Sequence, residues 1–390
     1  MPHHNRIFYQ FLGLHSLLIG IFPFFIPVFL WKQGFDLAAI CLFISLAGLG
    51  FCVGLWCWDR LRLILSLSSL IAVSLVLEIL LLLNVQVLDM DMGVMLLLGL
   101  SYGVYNSFFW TTQRALFFEL IDPSTSGRKY GNFQIFVGLL LQIGILIGGL
   151  LLEKADFDYV LWVCIFVAAS GFMVLFYSKP GYPDTLTATS AVSLKDFIGF
   201  KDKDYSRFIF IIDGLFLFFE SFFWVISLFL IAHESFATLG LLVLSLAIIF
   251  GLLFYLLKNT IDRLGKRKIY LLAVVLYSLS WALRALTDDK LSLEFLFVFL
   301  VIITFCTSFF RLAMNKRFYD LAKQSIAHPY LVLKSYYSQL TITIGFFLMG
   351  YWLLDIENNV ELMEPIYWVA AVMALGFLLY GKERYKKANI

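Results

Sequence analysis

Apolar blocks of about 20 residues recur from one end of this chain to the other, separated by short charged or turn-rich breaks. A helix of that length spans the hydrocarbon core of a bilayer. Backbone groups in lipid must bond within their own segment, so the blocks read as helices. Twelve are predicted, over residues 7–30, 37–57, 63–84, 93–119, 130–152, 159–178, 207–232, 237–257, 269–287, 292–314, 335–354 and 365–381. Composition agrees: 61% of the 390 residues are hydrophobic and 14% are charged, where soluble domains are roughly half apolar and a quarter charged. The net charge of +2 gives no sign of a nucleic-acid partner. Cys41, Cys52, Cys57, Cys164 and Cys306 all lie in apolar blocks and form no CxxC pair, so packing is expected of them. The first block is too long for a signal-peptide core and is expected to be a membrane helix.

Charge sets the orientation. Of the 29 Lys and Arg, all but Lys32, Lys154, Arg284 and Lys290 fall on the side of the two termini. Cytoplasmic loops carry such an excess, so both termini are expected in the cytoplasm, with a bacterial inner membrane as the setting. The longest polar stretch runs from Lys179 to Arg207. It divides the chain into a first bundle (1–178), a cytoplasmic loop (179–206) and a second bundle (207–390).

The halves repeat each other. NSFFWTTQRALFFEL (106–120) aligns without gaps on TSFFRLAMNKRFYDL (307–321), and WDRLR (58–62) matches IDRLGKR (261–267) at nearly the same offset. KNTIDRLGKRK (258–268) also keeps Asp262, Arg263, Gly265, Lys266 and Arg267 of a loop signature, G-x-x-x-D-R-x-G-R/K-R/K. On these residues the chain resembles the major facilitator superfamily. The resemblance implies an all-α membrane protein, with twelve transmembrane helices in two pseudo-symmetric six-helix bundles. It implies that Asp59, Arg60, Asp262, Arg263, Lys266 and Arg267 act as a conformational latch between halves; plain charge anchoring is the alternative. GILIGG (144–149) partly matches the family's antiporter signature and points towards export. Tight helix packing through Gly144, Gly148 and Gly149 is the plainer account of it.

Polar residues inside a membrane are expensive and mark function. In the family, helices 1, 4, 7 and 10 line the central cavity and helices 3, 6, 9 and 12 lie outside. Here helix 1 carries His15. Helix 4 carries Asn106, Trp110, Gln113 and Arg114; helix 7 carries Asp213, Glu220 and Trp224; helix 10 carries Arg311 and Asn315. Their spacing puts each set on one helical face. Glu220 lies about 20 Å along its helix from Arg207 at the usual rise, near mid-bilayer. By depth, Arg114 and Arg311 suit Asp213 better than Glu220. Three roles are open for Glu220: a proton carrier, a partner for a cationic solute, or a static pair with an arginine. Arg114 and Arg311 divide between anion binding and ion pairing, and His15 between proton relay and packing. Glu78 reads as packing or as snorkelling outward. Pro23 and Pro27 break helix 1, as a gating bend or as a static kink.

No HExxH, GxxxxGK[ST] or GxSxG occurs, and no soluble domain fits between the helices. No catalytic residue, metal site or cofactor is expected. The expected function is secondary transport of a small organic solute by alternating access, driven by a proton gradient. The alternatives are proton-antiport export of a drug-like or siderophore-like metabolite and a non-transporting receptor or scaffold. A monomer in lipid is expected.

Overall fold

A computed structural model describes residues 3–87, 91–120, 126–155, 157–178, 189–202, 204–263, 266–287, 293–324, 327–356 and 359–380. Side chains are described for these except at 3–8, 67–68, 86–87, 116–120, 126–135, 178, 253–263, 266, 293, 324, 327 and 359–360. The described residues contain helices and no strand. Twelve apolar helical spans follow in order. Span 1 is His3–Ile21 continued by Ile26–Lys32, and spans 2 to 6 are Leu37–Leu61, Leu67–Val87, Met92–Leu120, Ser126–Lys154 and Phe157–Ser178. Span 7 is Ser206–Phe218 continued by Trp224–Ile231; spans 8 to 11 are Phe236–Arg263, Lys266–Ala285, Leu293–Gln324 and Ala327–Leu353. Span 12 is Met363–Ala374 with a 3-10 end at Leu375–Leu379.

Two spans are interrupted, the first where the sequence forces it. Pro23 has no N–H for the turn before it, and the chain tightens to a 3-10 turn over Pro23–Phe25. Span 7 widens to a π turn over Phe219–Phe223, the stretch that holds Glu220. Span 11 begins eight residues before its predicted start. Pro329 falls in the first turn, where a missing N–H breaks no helical bond. That extension places Lys334 inside the helix rather than in a loop.

Packing between spans repeats from one half to the other. Spans 1–5, 2–4, 3–4 and 3–6 are in contact, and so are spans 7–11, 8–10, 9–10 and 9–12. Each contact recurs six spans on, which is what a duplicated bundle requires. The halves meet chiefly along spans 2 and 11 and along spans 5 and 8. Glycines allow the closest approaches. A Cβ on Gly144 would lie 2.2 Å from the Leu17 carbonyl oxygen of span 1, and one on Gly148 would lie 2.1 Å from that of Ile21. Gly149 faces span 8, where a Cβ would meet the Phe236 carbonyl oxygen at 2.6 Å. Large apolar side chains such as Trp162, Phe166, Phe176 and Tyr351 point outward and are mostly exposed. So broad an apolar exterior is a lipid-facing one.

A short helix, Leu194–Gly199, precedes span 7. Ser193 caps it, with Ser193 and Asp196 bonding each other's backbone N–H groups in a capping box.

Candidate functional site

Between the halves lies a cavity of about 470 Å³. Spans 1, 2, 4, 5, 7, 10 and 11 line it. Its centre is one arginine shared by two acids. Asp213 and Glu220 are two turns apart on span 7, and Arg311 of span 10 reaches both. Its Nη1 donates to Asp213 Oδ1 at 2.5 Å and its Nε to Glu220 Oε2 at 2.9 Å. Lys334 of span 11 donates to the other Asp213 oxygen at 2.9 Å. Tyr277 of span 9 donates its hydroxyl to Glu220 Oε1. Four charges and a phenol thus tie spans 7, 9, 10 and 11 into one network. The two carboxylates differ in solvation: the Asp213 side chain is 2% exposed and that of Glu220 is 19%. A buried charge is tolerated only when paired, and Asp213 has two cations while Glu220 has one.

The span 4 face is equally well defined. Asn106 donates to the Tyr102 carbonyl at 2.8 Å and accepts from Trp110 Nε1 at 2.9 Å. One turn further, Arg114 donates to Ser335 Oγ of span 11 at 2.9 Å. Gln113 and Gln339 are 7% and 8% exposed and line the same cavity. Among the described residues their carboxamides have no hydrogen-bond partner. Aromatic walls come from Phe24, Tyr102, Trp110, Phe218 and Phe222. Asn315 completes the lining.

The structure therefore brings Asn106, Trp110, Gln113, Arg114, Asp213, Glu220, Arg311 and Asn315 together. His15 and Trp224 it places elsewhere. His15 is 3% exposed inside the first half, where its Nδ1 is 3.3 Å from Glu78 Oε2. Its Nε2 is 2.8 Å from the Tyr105 hydroxyl, which donates to Glu78 Oε1 at 2.6 Å. Glu78 is thus neither snorkelling nor apolar packing but the anchor of a buried polar triad. Trp224 is turned into the second half, edge-on to Tyr367 and against the guanidinium of Arg284. The physical reason is the π turn. One extra residue between Glu220 and Trp224 rotates the rest of the helix by roughly one residue's 100°, so the i, i+4 relation no longer shares a face. Lys334 and Tyr277 were not singled out by the sequence. Lys334 read as a loop charge, and Tyr277 lies on a helix expected to sit outside.

The latch residues separate in the same way. Asp59 is fully buried and accepts from Arg62 Nε at 2.7 Å, from the Val192 N–H at 2.7 Å and from His328 Nε2 at 3.0 Å. Arg62 also donates to the Ser190 carbonyl at 2.9 Å. This cluster joins span 2 to the central segment and to the start of span 11. Arg60 takes no part: it is exposed and stacks on Trp56, 3.9 Å from the ring centroid. Arg62, two residues on, makes the contact to Asp59 instead. The side chains of Asp262, Arg263 and Lys266 lie outside the described residues. Arg267 is exposed, on a cleft with Tyr270, Arg317 and Tyr380.

No family model and no curated protein matches the sequence. In three dimensions the chain is similar to a crystal structure of the nucleoside transporter NupG. That structure is 16% identical with a TM-score of 0.66, and the match covers 97% of this chain and 98% of that one. A structure of a NupG mutant is 15% identical with a TM-score of 0.68, covering 95% of this chain and 97% of that one. At such identities the likeness is one of fold, and it agrees with the twelve spans, the repeated contacts and the cavity between the halves: this chain has the major facilitator fold.

Proposed function

We propose that the chain is a secondary transporter that moves a small organic solute by rocking residues 1–178 against 207–390, with Glu220 carrying the coupled proton. The observation that carries this is Arg311 held between Asp213 and Glu220 on the wall of a cavity formed by both halves. Glu220 is the wetter acid and has the single cation. Protonating it releases one bond of Arg311 while Asp213 keeps the guanidinium in place, so proton gain and loss alter the network without dismantling it. The excess of basic residues beside the termini supports a cytoplasmic location for that side, in a bacterial inner membrane.

The cavity also favours a solute class. Asp213, Glu220 and Lys334 are occupied with Arg311 and one another, whereas the Gln113 and Gln339 carboxamides and the Nη2 of Arg311 are available. Flat rings and amide edges suit an uncharged solute with an aromatic face and hydrogen-bonding edges. Nucleosides, which the solved neighbours are named for, have that chemistry.

Flux of labelled nucleosides into proteoliposomes, with and without a pH gradient, tests both points. The expected result is gradient-driven accumulation that Glu220→Gln abolishes while solute exchange persists. Accumulation that ignores the gradient and survives Glu220→Gln would instead make Glu220 a static tie between spans 7 and 10.

A further inference from the structure

Arg284 lies in the second half, near the end of span 9 that is far from the termini. It is 3% exposed. Its guanidinium carbon is 4.3 Å from the Trp281 ring centroid and 4.8 Å from that of Trp224. Nη1 donates to Ser280 Oγ and Nη2 to Thr307 Oγ1, each at 2.9 Å. The Nε has no acceptor. Among the described residues no carboxylate lies within ion-pair distance of it. Arg62 and Arg311, also at helix–helix contacts, are both paired with acids. A buried cation without an anion is strongly penalised. Trp281, one turn before Arg284, has the same defect: its indole N–H is buried and meets no acceptor.

These two orphaned donors stand in line with a third group. Tyr277, Trp281 and Arg284 fall at i, i+4 and i+7, one face of span 9. Tyr277 already donates to Glu220. The other two continue the same row away from the termini, about 6 Å and 10 Å further along the helix at 1.5 Å per residue. The only acid on the facing stretch of span 7 is Glu220, and it sits in the π turn. Such a turn moves along a helix by passing its extra residue on, which swings the side chains it crosses. The charged and titratable groups that face Glu220 are Tyr277 and Arg284 of span 9, Arg311 of span 10, Lys334 of span 11 through Asp213, and Tyr367 of span 12 behind Trp224.

We propose that Arg284 is a second counter-ion for Glu220: as the halves rock, the π turn shifts along span 7 within the second half, and Glu220 leaves Arg311 and docks on the Trp281 N–H and the Arg284 guanidinium. Arg311 stays with Asp213 meanwhile. Arg284 is then a positioning residue for the opposite-facing state. The inference rests on the alternating-access reading above.

Spin labels at Lys154 and Leu286, exposed at the same side of the two halves, report the distance between them in the purified full-length protein. Wild type is expected to show two distances. Arg284→Gln is expected to deplete one of them about tenfold. In the Glu220→Gln background the same change is expected to add nothing, because Arg284 acts only through its contact with Glu220. Trp281→Phe keeps an aromatic ring and every charge while removing the N–H, and is expected to shift the populations in the same direction by about threefold. Independent, multiplicative effects of the Glu220 and Arg284 changes would overturn the proposal. So would unchanged populations in both Arg284→Gln and Trp281→Phe. Should Arg284→Gln fail to fold, Trp281→Phe carries the same comparison with Glu220→Gln. A single distance in wild type under all conditions would overturn the alternating-access reading together with this one.

Discussion

Asp59→Asn separates a latch from a fold element. The substitution keeps the shape of the side chain and removes its charge. Three donors address that carboxylate, from Arg62, Val192 and His328. Hydrogen bonds to a charged group contribute roughly 1.5–3 kcal/mol and neutral ones roughly 0.5–1.5, so each bond weakens by about 1 kcal/mol. The Arg62 bond is internal to span 2 and survives opening. The Val192 and His328 bonds cross to the central segment and to span 11, so the closed arrangement loses about 2 kcal/mol, or roughly 30-fold in population at 1.4 kcal/mol per decade. That figure is a floor, because Arg62 is fully buried and is left beside a neutral partner. Hydrogen exchange reads it directly, since Asp59 protects the Val192 amide. Exchange at Val192 is expected to accelerate about 30-fold, with span 2 unaffected. Arg60→Gln, which touches only the Trp56 contact, is the control and leaves exchange unchanged. Acceleration of less than about threefold in Asp59→Asn would refute the energetic reasoning.

Other outcomes follow from the same contacts. Gly144→Ala drives a Cβ into the Leu17 carbonyl and is expected to cost about 1–3 kcal/mol, read as a lower melting temperature of the detergent-solubilised protein. Lys334→Met leaves Asp213 with Arg311 alone; a loss of about 1–3 kcal/mol is expected in the same assay, smaller than the effect of Arg311→Met, which deprives both acids. The Asp196 carboxyl is held below its ordinary 3.8 by the hydroxyl and then the backbone N–H of Ser193. Its folded value is lower than its unfolded one, so the cap is intact above the ordinary value and is lost as pH falls through the depressed one. Exchange across Leu194–Gly199 is expected to speed up on acidification in wild type and to show no such step in Asp196→Asn.

The architecture was legible because lipid allows few solutions. Block length, basic loops and the 106–120 against 307–321 match each constrain the same fold. The cavity face of span 4 was legible too, since Asn106 to Arg114 lie on a regular helix and period 3.6 holds. The cavity-face spacing on span 7 failed at Trp224 because no residue type announces a π turn; FESFF reads as ordinary helix. His15 looked like a cavity residue because its partners, Glu78 and Tyr105, are 63 and 90 residues away in sequence. Lys334 was hidden by its own charge. A lysine beside a basic loop reads as a membrane anchor until an acid on another span is found to face it.

Spans 2 and 11 touch from one face of the membrane to the other. Gly350 packs on Ala38 at one end, Ser45 donates to the Thr343 carbonyl at 2.7 Å in the middle, and Asp59 holds His328 at the other end. Two bodies joined along a whole edge move like a door on its hinge, widening with distance from that edge. Each opening would then be widest at the opposite edge, where spans 5 and 8 meet at Gly149 and Gly240. Glu153, which accepts the Phe236 N–H there at 2.9 Å, would be the door's catch. The 2–11 seam would stay closed along its length except at its Asp59 end, where the Val192 and His328 contacts give way.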